Sequence, residues 1–215
     1  MVQVARPSEA ELGQHLLDSG PLLCLGGSPL IADLYDEHFG ADGAVVEVVA
    51  EEVVRISKQR VAPGDPRRIA PRQRAGAAAV SRYQRSMFGS AISSPSPEPR
   101  EIAEILQALE RHAARKRPGK APRDGEHVGE TYSIYEAESS GRRFVANDDG
   151  ARHVAGLRNV GHESFVGITH RLTKCQRDVK PKQLLRELQR LAQSGIDTGD
   201  VVQSILDLTD AGRRR

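Results

Sequence analysis

The chain has 215 residues, of which 38% are hydrophobic, 28% charged and 4% aromatic, and its formal net charge is +2. This composition predicts a folded globular chain and excludes a disordered one. The scarcity of aromatic residues and the lack of tryptophan argue against a stacking platform for single-stranded bases. No uncharged apolar stretch approaches the roughly 20 residues that a membrane helix needs. We therefore expect no membrane partner.

Charge is distributed unevenly along the chain. Residues 7–54 contain ten acids and neither Lys nor Arg, whereas residues 55–85 contain nine cations and one acid, Asp65. A second basic run follows at 111–123, and the sequence ends in three arginines. An acidic segment beside a basic one can draw a polyanion towards a carboxylate site. The alternative is an ordinary solvated surface of helices and loops.

The first quarter of the chain predicts an alternation of strands and helices. A short strand begins at Leu16 and runs into a turn at 19–21, followed by a helix at 29–39. A strand rich in β-branched residues is expected at 44–49, and a helix begins at 50–56. This order is typical of a parallel sheet covered by helices.

The middle of the chain, residues 62–123, contains most of the prolines and much of the arginine. A helix is expected from Glu98 or Arg100 to about Lys116, because apolar residues recur there at i, i+3, i+4 and i+7. We interpret this region as a helical, basic insertion within a single domain of residues 1–215.

Strands and helices alternate again in the rest of the chain. The expected elements are a helix at 129–138, a strand at 143–146, a turn at 147–150 leading into a helix at 152–157, a strand at 164–168, a helix at 181–193 and a last helix capped by Thr198. The whole pattern predicts an α/β fold with a mostly parallel central sheet.

Several acids fall near strand ends, where parallel α/β sheets bind ligands. Asp18 ends the first strand, Glu52 follows the valine-rich strand, Glu130 opens a helix, and Asp148 and Asp149 follow the next strand. Each has an ordinary explanation as a turn residue, a helix cap or a first-turn acid. Brought together, the carboxylates would repel one another unless a cation lay between them. Oxygen ligands of this kind suit Mg²⁺ or Mn²⁺.

Four short motifs around these acids resemble those of the PIN-domain nucleases. They are LDSGPL at 17–22, VAEEV at 49–53, GE at 129–130 and VAND at 145–148, in the same order as in the family. The resemblance covers roughly residues 16–56 and 128–191. In the last motif Ala146 occupies the place where the family usually has Thr or Ser.

The resemblance implies a three-layer α/β/α fold and metal-dependent cleavage of RNA phosphodiester bonds. The residues that would hold one or two Mg²⁺ or Mn²⁺ ions are Asp18, Glu52, Glu130 and Asp148, with Glu51 and Asp149 as alternatives in the second and fourth motifs. Ser19 and Asn147 would orient these ligands. Arg68, Arg72 and Arg74 are our first candidates for contacts with RNA phosphates.

The resemblance also implies partners. Similar small bacterial members are toxins restrained by an antitoxin protein, and they often form homodimers. A non-catalytic RNA-binding or partner-binding module on the same fold is the alternative, suggested by Ala146 and the long basic insertion. A third possibility, a phosphotransfer or receiver-like domain, lacks a suitably placed Lys after a late strand.

Other kinds of site have weaker support in the sequence. The segment 25–28, LGGS, lacks the Gly-Lys-Ser/Thr ending of a nucleotide-binding loop. Cys24 and Cys175 lack metal-ligand spacing, so we expect reduced thiols in a cytoplasmic protein.

Overall fold

The computed structural model describes residues 14–39, 43–60, 69–96, 99–119, 125–175 and 179–199. Its sheet has four short strands, all parallel, in the order β2-β1-β3-β4. The strands are β1 (His15–Leu17), β2 (Gly43–Ala44), β3 (Arg143–Val145) and β4 (His162–Glu163). The prediction of an α/β fold with a parallel sheet is thus confirmed.

Helices make up most of the described chain. They are α1 (Ser19–Gly27), α2 (Pro29–Phe39), α3 (Glu47–Ser57), α4 (Ile69–Tyr83), α5 (Arg100–Lys116), α6 (Val128–Ser140), α7 (Asp149–Leu157), α8 (Phe165–Cys175) and α9 (Pro181–Gln193). A π-helical turn, Gln84–Phe88, follows α4. The predictions that correspond to α2, α5, α6, α7 and α9 are confirmed. None of the described helices is both long and apolar enough to cross a lipid bilayer.

The turn expected at 19–21 is wrong, because these residues form the first turn of α1. Pro21 fits there, since the first N–H groups of a helix have no partner within it. The helix packs tightly against α4. A Cβ atom at Gly26 would lie 2.0 Å from the carbonyl oxygen of Ala75, so only glycine permits this approach.

The valine-rich segment is mainly helical, so the strand expected at 44–49 is wrong beyond its first residue. α3 begins at Glu47, after a single bridge between Val46 and Ile92. The buried residues on one face of α3 are Val49, Val53 and Ile56. Burial of that face outweighs the preference of valine for strands, which depends strongly on context. Glu52 consequently lies in the middle of a helix.

The strand expected at 164–168 is also wrong, because β4 ends at Glu163 and α8 follows. The Gly167 amide donates a hydrogen bond to the Ser164 hydroxyl at 3.1 Å, which caps the helix. The buried residues on the inner face of α8 are Phe165, Ile168 and Leu172. A short apolar run does not by itself distinguish a strand from a helix. The last helix, expected after Thr198, lies outside the described residues.

The basic insertion contributes to the core. α4 packs against α1 and α3, and α5 packs against α6 and α7. The core residues that these two helices add include Ala75, Ala79, Ile105 and Leu109. Residues 62–68, 97–98 and 120–123 of the insertion lie outside the described residues.

Candidate functional site

The carboxyl ends of β1 and β3 lie side by side in the sheet. Leu17 pairs with Val145, and the Asp18 amide donates a hydrogen bond to the Val145 carbonyl at 2.9 Å. The chain crosses from β1 to β2 on one side of this pair and from β3 to β4 on the other. Such a reversal opens a crevice at the strand ends, where α/β sheets bind ligands. Asp18 follows β1 directly, and the VAND motif begins at the last residue of β3.

Asp18 is the buried member of an acidic cluster, which we define as Asp18, Glu52, Glu130 and Asp148. Asp18 is only 6% exposed. Burial raises the pKa of Asp18 well above its usual value, and the charges of the other three acids raise it further. A hydrogen bond from the Ser19 backbone acts in the opposite direction. The charges of three acids from other parts of the sequence therefore act on Asp18.

Gly129 lets α6 approach this cluster closely. A Cβ atom at Gly129 would lie 3.6 Å from Asp18 Oδ1, 3.7 Å from Glu52 Oε2 and 3.2 Å from Val49 Cγ2. The two carboxylates thus border the same small space beside the first turn of α6. Glu130, the next residue, raises the pKa of both Asp18 and Glu52.

Glu52 connects the acidic cluster with α1 and with two cations. Burial is the main cause of the raised pKa of Glu52. A hydrogen bond from the Ser19 side chain and the charges of Arg55 and Arg72 oppose that rise. Ser19 consequently contacts both Asp18 and Glu52. The alternative acid, Glu51, is exposed on α3, so Glu52 is the one that interacts with Asp18.

The two adjacent acids after β3 have different surroundings. The Ala151 amide donates a hydrogen bond to Asp148 Oδ1 at 2.8 Å, so Asp148 caps α7. Asp149 forms an ion pair with Lys116, which lowers the pKa of Asp149. The charge of Asp148 acts on Asp18. The fourth member of the acidic cluster is therefore Asp148, with Asp149 held at the surface of α5.

Asn147 is held by the segment that follows α9. Asn147 Nδ2 donates a hydrogen bond to the Asp197 carbonyl at 2.5 Å, and the Cys24 thiol donates to the same oxygen at 3.3 Å. Burial raises the pKa of the Cys24 thiol, which is free. Asn147 Oδ1 is buried and has no hydrogen-bond partner among the described residues. Asn147 is thus fixed on one side and keeps an unused acceptor.

The structure adds His127, which the sequence analysis did not select. His127 Nδ1 lies 3.9 Å from Glu130 Oε1, and this contact is the main cause of the raised pKa of His127. The residue has a φ of 71°, and its carbonyl accepts a hydrogen bond from the Thr131 amide at the start of α6. The position of His127, two residues before the GE motif at 129–130, is the feature of the sequence that could have selected it.

The candidate RNA-contact arginines are only partly placed by the structure. Arg72 and Arg74 are exposed on α4. The charge of Arg72 acts on Glu52, which places Arg72 near the acidic cluster. Arg68 lies outside the described residues.

The donor chemistry of the acidic cluster fits a hard divalent cation, because its four members carry carboxylate oxygens and the charges of three of them act on buried Asp18. Within the described ranges, no three His, Cys, Asp or Glu side chains are grouped so that they could hold a metal ion together. Two members are turned towards other partners, since Asp148 caps α7 and Glu130 faces His127.

Comparison of the chain with protein-family models, with curated proteins and with solved structures found no match. The geometry of the acidic cluster is therefore the basis for assigning a function.

Proposed function

We propose that this chain is a metal-dependent endoribonuclease with a PIN-like fold. The observation that carries the proposal is the placement of Asp18 and Glu52 beside Gly129, at the paired ends of β1 and β3. The charges of Glu130 and Asp148 also act on Asp18. Repulsion between buried Asp18 and its neighbouring carboxylates is relieved when a divalent cation binds between them. The cluster also lies at the sheet position where α/β proteins bind ligands.

The four acids of the cluster would hold one or two Mg²⁺ or Mn²⁺ ions. Such a cation, when bound, activates water and stabilises negative charge on a phosphoryl group. Ser19 would keep Asp18 and Glu52 in place through its backbone and side-chain hydrogen bonds. Asn147, anchored to the Asp197 carbonyl, would offer Oδ1, which has no partner in the described part of the chain, as an acceptor inside the site.

Exposed arginines would supply contacts with the RNA backbone. Arg72 and Arg74 on α4, and Arg68 just before it in sequence, are the first candidates. Contacts with phosphates do not depend on base sequence, and they weaken as salt is raised.

The proposal includes a three-layer α/β/α arrangement with helices on both faces of the sheet. It also includes a toxin role, with an antitoxin protein as partner and a homodimer as the assembly, on the basis of the resemblance to small bacterial PIN proteins. A small reading frame upstream of the gene, with a DNA-binding pattern, would support the toxin role.

Incubation of labelled RNA with the purified protein and Mg²⁺ or Mn²⁺ tests the activity. We expect cleavage by the unaltered chain and a loss of about 100-fold or more in the Asp18→Asn variant. The matched control is Asp33→Asn, since Asp33 is an exposed acid on α2 that pairs with Arg82. Undiminished cleavage by Asp18→Asn, or an equal loss in the control, would reject the proposal.

A second function, binding of RNA or of a protein partner without cleavage, is favoured by two observations near β3. Asp148 Oδ1 already caps α7, and Ala146 has a methyl group where the family motif has a hydroxyl. RNA binding without turnover in either metal would select this function over the nuclease.

A further inference from the structure

A cleft of about 830 Å³ lies where α3 meets the start of α4. Its lining includes Glu51, Glu52 and Arg55 of α3, Lys58 and Gln59 just after α3, and Arg72 of α4. Glu52 is therefore shared between this cleft and the acidic cluster. A ligand in the cleft would lie directly beside the proposed reacting position.

The cleft has three exposed cations, Arg55, Lys58 and Arg72. The ion pairs found among the described residues do not involve any of these three, although the charges of Arg55 and Arg72 reach Glu52. Some arginines elsewhere on the surface are paired with acids, as Arg82 is with Asp33 and Asp36. The cleft cations are thus available to an anionic ligand.

The lining of the cleft indicates how such a ligand would be held. No aromatic side chain is among its described lining residues. Bases therefore have no ring to stack on, and recognition must come from the charge of the phosphates. A sequence-independent polyanion fits these features better than a single nucleotide, which would need a specific base pocket.

We infer that this cleft holds the phosphate backbone of the RNA strand next to the cleaved bond, with Arg55, Lys58 and Arg72 as its contacts. Arg55 and Lys58 extend the set of candidate RNA contacts beyond the arginines of α4. The inference rests on the proposed function for the identity of the polyanion, but binding to the cleft does not require cleavage.

Fluorescence anisotropy with a labelled single-stranded RNA tests the inference without cleavage, using the full chain carrying Asp18→Asn. In that background, Arg55→Ala, Lys58→Ala and Arg72→Ala are combined. We expect an affinity loss of about tenfold or more near 0.1 M salt. The slope of log K against log salt should become shallower by about 2, since each single-strand phosphate contact contributes about 0.7.

The matched control removes the same charge from other exposed positions, with Arg111→Ala, Lys182→Ala and Arg186→Ala on α5 and α9. We expect a much smaller loss of affinity and little change in slope for this control. All six side chains are exposed, so we expect every variant to keep the fold. The unfolding temperature of each variant tests this expectation.

Three results would overturn the inference: no RNA binding by the Asp18→Asn chain, undiminished binding by the cleft variant, or equal losses in cleft and control variants. Its failure differs from failure of the proposed function. A chain that binds RNA through the cleft but never cuts it keeps this inference and rejects the nuclease. A chain that cuts RNA, but whose RNA binding is unchanged by the cleft substitutions, rejects this inference and keeps the nuclease.

Discussion

The Asp18 amide donates a hydrogen bond to the Val145 carbonyl at 2.9 Å, so the end of β1 is held beside the end of β3. Asp18 follows β1 directly, and Asp148 follows β3 after Ala146 and Asn147. The acidic cluster exists because this strand pairing brings the two segments together. The Asp18 side chain is buried at this junction, so its replacement should alter stability as well as activity.

Replacement of Asp18 with Asn is expected to raise the unfolding temperature when no divalent cation is present. The folded state raises the pKa of Asp18, so it keeps a proton that the unfolded chain loses above about pH 4. The Asp18 carboxyl therefore costs stability as pH rises from about 4 through its folded pKa. Asn should raise the midpoint at pH 7 by about 2–4 °C, equivalent to ~1 kcal/mol. Calorimetry across this pH range measures the unfolding temperatures of the variant and the unaltered chain. A difference between them that does not increase with pH would contradict the prediction.

Mn²⁺ is expected to stabilise the unaltered chain and to have little effect on Asp18→Asn. A ligand that binds only the folded state at 100 times its Kd contributes about 2.7 kcal/mol. Thermal unfolding with and without Mn²⁺ measures the shift, with NaCl at the same ionic strength as the control for screening. Equal shifts in both proteins would place the ion outside the acidic cluster.

Glu52→Gln is expected to reduce RNA cleavage by about 100-fold or more, and Glu51→Gln to reduce it far less. Glu52 interacts with Asp18 and accepts a hydrogen bond from Ser19, whereas Glu51 is exposed. Initial rates of RNA cleavage by the two variants are measured at saturating Mg²⁺. The opposite ranking would mean that Glu51 is the functional acid of the VAEEV motif.

His15 is expected to weaken the fold as pH falls below about 6.5. It is 1% exposed, and burial together with Arg171 and Arg143 lowers the pKa of His15 to about 3. As pH falls, His15 takes up a proton in the unfolded chain before it does so in the folded chain. Stability that is present at neutral pH is therefore lost on acidification. Urea unfolding should show a loss of up to about 2 kcal/mol between pH 6.5 and 5 from this group. His15→Gln should remove that part of the slope, whereas His153→Gln, at an exposed position, should retain it.

Gly26→Ala is expected to destabilise the fold by about 3 kcal/mol or more. Its Cβ would lie 2.0 Å from the Ala75 carbonyl oxygen and 2.9 Å from Ala79 Cβ, so α1 and α4 would have to separate. Gly161→Ala is the control, because a Cβ there meets nothing within 4 Å. Urea unfolding of both variants measures the difference, and similar stabilities would show that the two helices can shift at little cost.

Local patterns were sufficient for several elements and misleading for others. The apolar spacing of α5 and α9 specifies helices, because only the helical period places those side chains on one face. The segments at 44–49 and 164–168 were predicted as strands. Their apolar runs are compatible with a strand or a helix, and burial of one helical face in the core favours the helix. The sequence contains Gly26, but it does not indicate that this glycine permits the close approach of α1 to α4.

The sequence by itself determined the alternation of strands and helices, the order of the acids and their positions near element ends, because periodicity and capping are local properties. Only the tertiary structure decided which acids meet: it placed Glu52 rather than Glu51 beside Asp18, and it paired Asp149 with Lys116. It also added His127 and opened the cleft beside Glu52. Distances between such segments depend on strand pairing and helix packing, which no short stretch of sequence encodes.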